Sequence, residues 1–96
     1  MKTRKVGKNK GIARIWLEAG ELNQNGIVHG MRFDSVSTAG KISIKINPAG
    51  KRKIAGKPGR EIIDMTGATV STAGFAIGDL FTIVKTANGI DIIAVS

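Results

Sequence analysis

The stretch that decides the fold is IWLEAGELNQNGIVHGMRFDSVSTAGKISIKI, residues 15–46. Residues 63–94, IDMTGATVSTAGFAIGDLFTIVKTANGIDIIA, repeat it without a gap at an offset of 48. Nine of the 32 aligned positions are identical: Ile15/Ile63, Gly26/Gly74, Gly30/Gly78, Phe33/Phe81, Val36/Val84, Thr38/Thr86, Ala39/Ala87, Ile42/Ile90 and Ile44/Ile92. Leu22 over Val70 adds an apolar match. The identities are mainly glycines and apolar residues in a period-two rhythm, the features that turns and a core demand. A unit this small cannot bury its own apolar face, so the two copies are expected to close on one shared interior.

Each copy reads as strand, short helix, hairpin. Ile12 to Glu18 alternates, with Ile15 and Leu17 facing one way and Arg14, Trp16 and Glu18 the other, a half-buried strand. Ala19 to Asn25 allows about two helical turns on Leu22, with Gly26 as a left-handed cap. Strands are predicted at Met31–Val36 and Lys41–Ile46, joined through Thr38-Ala39-Gly40. In the second copy the strand is Glu61–Met65 and the helix Thr66–Ala73, capped by Thr66 or Asp64 and ended by Gly74. Leu80–Lys85 and Ile90–Val95 form its hairpin, with Asn88-Gly89 as a turn whose two residues both tolerate positive φ. Between the copies, Asn47-Pro48-Ala49-Gly50 and Lys57-Pro58-Gly59 bracket a loop. The expected organisation is a flexible basic arm over residues 1–11 and one barrel domain over 12–96. Within it, the repeats at 12–46 and 60–96 flank a linker at 47–59. The fold class is mostly β, a small barrel of two β-α-β-β repeats related by a pseudo-twofold axis.

Charge is distributed unevenly along these segments. Residues 1–14 carry Lys2, Arg4, Lys5, Lys8, Lys10 and Arg14, and residues 45–60 carry Lys45, Lys51, Arg52, Lys53, Lys57 and Arg60, with no acid in either. The rest of the chain holds Arg32, Lys41 and Lys85 against seven carboxylates. Basic extensions on a mildly acidic scaffold point to a polyanionic partner, nucleic acid before anionic lipid. The absence of cysteine removes disulfides, thiolate zinc sites and thiol nucleophiles together. No apolar run approaches the length of a membrane span or follows the basic N-terminus as a leader would, so a cytoplasmic protein without membrane contact is expected.

Arg14-Ile15-Trp16-Leu17-Glu18, with Leu22 and Gly26 downstream, resembles the swapped-hairpin barrel family of AbrB, MazE and SpoVT, and within it the SymE branch. Gly74-Phe75-Ala76-Ile77-Gly78-Asp79 is similar to that family's helix exit and Gly-Asp turn. Ala55-Gly56-Lys57 through Ile62-Ile63-Asp64 also looks like a small domain associated with phage cytosine-specific DNA methyltransferases. The resemblance covers roughly residues 12–46 and 60–95. It implies two units interleaving their hairpins into one barrel, and DNA binding as in many members. Here one chain supplies both units, and two such barrels can pair as a homodimer. The second copy departs from the first by placing Asp64 and Met65 where the first has Trp16 and Leu17.

Candidate nucleic-acid contacts follow from charge and exposure. Arg14 and Trp16 share an outward strand face: the guanidinium suits phosphate or a guanine edge, and the only indole can stack on an unpaired base. The alternative is that Trp16 packs over a barrel end or a dimer seam. Lys5, Lys8 and Lys10 on the arm, Lys41 and Lys45 on a strand, and Lys51, Arg52, Lys53, Lys57 and Arg60 in the linker complete the set. The run Gly50-Lys51-Arg52-Lys53-Ile54-Ala55-Gly56-Lys57-Pro58 is not a phosphate loop, because five residues separate its glycines and Pro58 replaces the magnesium-binding hydroxyl. His29 is solitary, and nothing pairs a nucleophile with a base, so no metal, cofactor or catalysis is expected. DNA binding, as a transcriptional regulator or a phage-type accessory protein, is the favoured function. An RNA-binding toxin of SymE type and a protein-binding inhibitor or antitoxin module are its rivals.

Overall fold

The computed structural model describes residues 3–95; Lys2 of the expected arm lies outside them. In chain order the elements are β1 (Arg4–Lys5), β2 (Gly7–Asn9), β3 (Ile12–Glu18), α1 (Ala19–Gln24), β4 (Arg32–Thr38), β5 (Lys41–Ile46), β6 (Arg52–Lys53), β7 (Ile62–Thr66), α2 (Ala68–Thr72), β8 (Leu80–Thr86) and β9 (Gly89–Ala94). Six strands form a sheet in the order β1-β8-β9-β5-β4-β6, and three form a second in the order β2-β3-β7. The chain is mostly β, and the two sheets curl into a small barrel.

The registers show the duplication directly. β3 runs antiparallel to β7 with Trp16 opposite Asp64, and β5 runs antiparallel to β9 with Ser43 opposite Asp91. Both pairs are separated by 48 residues, so each strand meets its own copy at its midpoint. A pseudo-twofold axis therefore passes through Trp16/Asp64 in one sheet and Ser43/Asp91 in the other. The hairpins are exchanged between copies: the Ser37 hydroxyl donates to the Thr69 carbonyl (2.7 Å), and the Gly40 N–H donates to that of Ala73 (2.9 Å). Among the described residues, sixteen of the seventeen buried apolar ones form eight pairs at the same offset, including Phe33/Phe81, Ile15/Ile63, Leu17/Met65 and Ile27/Phe75. Only Ala73, whose counterpart is Asn25, stands outside this pairing.

The expected flexible arm is the main correction. Arg4 and Lys5 pair with Phe81 and Leu80, whereas Gly7 to Asn9 pair with Arg14 to Ile12. Between them Val6 is 1% exposed, donates its N–H to Asp79 O (2.8 Å) and accepts that of Gly78 (2.9 Å). The linker repeats this arrangement. Arg52 and Lys53 pair with Phe33 and Arg32, Ile54 is buried and donates to Met31 O (3.0 Å), and Ala55 bridges Ile62. On each side one short segment thus leaves the six-stranded sheet and joins the other, closing the barrel. The repeat therefore extends beyond 15–46: Arg4/Arg52, Lys5/Lys53 and Gly11/Gly59 are identical at the same offset, and Val6 matches Ile54. Gly11 and Gly59 share left-handed backbones, φ 80° and 81°, at equivalent turns. The repeat boundaries are about 4–46 and 52–94. An apolar side chain to bury and ladder partners on both flanks outweigh the chain entropy that a polar composition suggests.

Smaller differences also have local causes. Thr66 and Asp64 do not cap α2; both lie in β7, and Gly67 at φ 67° occupies the N-cap. The second hairpin turns through Ala87-Asn88, with neither residue at positive φ, and Gly89 is the first residue of β9. Gly89 is glycine for space, since a Cβ there would run into the carbonyl of Ile44. In the turn before β8, Asp79 accepts the N–H of Ala76 (2.8 Å).

Candidate nucleic-acid interface

Alternation along β3 puts Arg14 and Trp16 on the outer face of the three-stranded sheet, as their spacing predicts. The guanidinium carbon of Arg14 sits 4.2 Å from the indole centroid, a cation–π stack. The register also brings Asp64 alongside. Arg14 Nε donates to Oδ1 of Asp64 (2.9 Å) and Nη2 to Oδ2 (3.1 Å), a two-pronged pair that raises the arginine pKa further. Arg14 therefore spends its Nε–Nη2 fork on Asp64. Trp16 Nε1 donates to Glu18 Oε1 (3.1 Å), which fixes the other edge of the ring.

Two identical arginines do identical work behind this face. β2 leaves β3 at the Gly7/Arg14 pair, short of Trp16, and Arg4 Nη2 reaches the Trp16 carbonyl instead (3.3 Å). Arg52 Nη2 donates to the carbonyl of Asp64, the counterpart of Trp16, at 2.9 Å. Arg4 also pairs with Glu21, and Arg52 lies 5.2 Å from the Phe33 ring centroid. Arg52, a linker candidate, is thus a brace of the closing segment as well as a surface charge.

The remaining candidates stay open to solvent. Lys5, Lys8, Lys10, Lys45, Lys51, Lys53, Lys57 and Arg60 are exposed, and none has an ion-pair partner among the described residues. Lys5 and Lys53 occupy equivalent positions on β1 and β6. Lys10 takes φ 54° in the β2–β3 turn. Lys41, half-buried, and Lys45 lie on β5 beside the Ser43/Asp91 crossing, apart from the Trp16 face. There they border a concavity of about 290 Å³ with Asn88 and Asp91.

The linker cations are held by contacts that composition does not reveal. Asp34 accepts the N–H of Lys51 and the Asn47 side-chain amide, both at 3.0 Å, and these bonds hold its carboxyl below the usual range. Arg32 Nε donates to Gly50 O (2.8 Å), and a Cβ at Gly50 would lie 2.7 Å from the Phe33 backbone. Further on, Glu61 is 3% exposed and its Oε2 accepts the His29 N–H (2.8 Å). Its own backbone N–H and that of His29 lower its pKa. His29 Nδ1 lies 3.1 Å from Gly56 O, tying the linker turn to the loop after α1.

That turn and β3 border a groove of about 360 Å³, with Trp16, Glu18, Arg60, Glu61 and Ile62 among its walls. Trp16 is half-buried here and forms a groove wall. Among the described residues no three His, Cys, Asp or Glu come together to hold a metal ion, and no helix is long and apolar enough to cross a membrane. Comparison with known proteins adds no assignment: no family model, curated protein or solved structure matches the chain.

Proposed function

We propose that this protein binds nucleic acid, DNA foremost, and serves as a transcriptional regulator or an accessory DNA-binding factor. The observation that carries this reading is the placement of the cations. Lys5, Lys8 and Lys10, with Lys51, Lys53, Lys57 and Arg60, project from segments that are stitched into the barrel. Charges held on ordered backbone lose less entropy on engaging a phosphate backbone than charges on a loose tail. Net charge of +8 adds long-range steering toward a polyanion. The resemblance to the swapped-hairpin barrels points the same way.

Binding titrations across salt test the proposal. If about six phosphates are neutralised, affinity for duplex DNA falls about a thousandfold between 50 and 200 mM salt. A flat salt dependence, or no binding at low salt, overturns it. A second reading, binding of unpaired strands as in an RNA-binding toxin, is favoured by the groove beside Trp16.

A further inference from the structure

We infer that the groove between Trp16 and the Gly59–Ile62 segment receives one unpaired nucleobase, so that the protein grips single-stranded or flipped-out nucleotides in preference to paired ones. The inference rests on the nucleic-acid reading above and assigns it a ligand state and a site.

Four features carry it. The indole is held in place before any ligand arrives, by Arg14 stacked on it and by Glu18 on its N–H. A ring fixed in this way stacks on a base at little entropic cost. Arg14 precedes Trp16 by two residues on the same face, whereas the groove opens toward Glu18 and the Gly59–Ile62 segment. The groove volume of about 360 Å³ falls within the range of small-ligand sites, about 300–1,000 Å³. Gly20 and Gly59 border it, and a Cβ at either would meet nothing within 4 Å, so a flat ring can approach the backbone closely.

Charge orients the nucleotide. Glu18 and Glu61 line the groove and repel phosphate from its interior. Arg60 lies on the exposed turn whose N–H bonds Lys57 O (2.8 Å), and both cations are free of ion pairs among the described residues. The base therefore enters against Trp16 while the phosphate stays outside with Arg60 and Lys57. In a duplex both faces of each base are already stacked, so this site is satisfied only by an unpaired base.

The pseudo-twofold adds a count. The counterparts of Trp16, Arg60 and Ile62 are Asp64, Ile12 and Arg14, and there Arg14 is bound to Asp64. The second copy lacks the aromatic wall and the free cation, so each chain offers one base site.

Trp16 is the only tryptophan, which makes its fluorescence a direct probe. The full chain is titrated at fixed low salt with a single-stranded DNA dodecamer, the same sequence as RNA, its DNA duplex, and inorganic polyphosphate. Both single strands are expected to quench Trp16 with one site per chain, while duplex and polyphosphate bind without quenching. Trp16→Ala is expected to weaken single-strand binding about tenfold or more and to change polyphosphate binding less than threefold, whereas Arg60→Ala weakens single-strand and polyphosphate binding alike. Should Trp16→Ala fail to fold, quenching of the wild-type Trp16 by single strands, set against duplex and polyphosphate, decides. Equal binding of all four polymers without quenching overturns the base site and leaves the general reading standing. Absence of binding to any nucleic acid at low salt overturns both.

Discussion

Asp64 decides what Arg14 does. By removing a formal charge and one prong of the pair, Asp64→Asn is expected to release the guanidinium and raise DNA affinity a few-fold, with a steeper salt slope read in the same titration. An unchanged slope would mean that Arg14 does not face the ligand. Carboxylates elsewhere set the acid limit of stability. Asp34 and Glu61 both have pKa values lowered in the fold, by backbone N–H donors first. Their contribution is present above the unfolded carboxylate value, about 4, and is lost as pH falls through the lower folded values. Melting temperature is therefore expected to drop below about pH 4, and Asp34→Asn to flatten that slope. Gly89→Ala should be among the most damaging small substitutions, because its methyl meets the Ile44 carbonyl in the central ladder. Chemical denaturation measures it.

Among the strands, those of five or more residues were legible from apolar pattern, turn residues and the repeat, and β3 and β5 lie where their patterns place them. The closing strands were not. β1 and β6 are two residues long, too short to display a period, and they sit in polar, basic surroundings. The available signal was the repeat itself, since Arg-Lys followed by an apolar residue recurs at 4–6 and 52–54. Ile54 is the diagnostic residue. In a mobile linker Ile54→Ala would cost nothing, whereas burial under the barrel predicts a loss of about 2–5 kcal/mol by denaturant titration. The candidate site divides in the same way. Adjacency of Arg14 and Trp16 follows from period two, but the Asp64 contact depends on a register set across fifty residues.

At the scale of the whole molecule, neither copy is complete. β5 leans on β9, β3 on β7, and each hairpin meets the other copy's helical region or closing strand. A chain ending at residue 50 is accordingly expected to lose its fold as a monomer, unfolded by circular dichroism or recovered only as a dimer by size-exclusion chromatography. What the amino-acid order determined alone was the duplication, the apolar alternation and the surplus of cations, because each is written in local pattern or composition. Which cations remain free, which are taken as braces, and that the basic segments close the barrel instead of trailing from it were decided by tertiary structure. Those outcomes depend on which distant backbone groups and carboxylates the pseudo-twofold brings opposite them, and no local pattern encodes that distance.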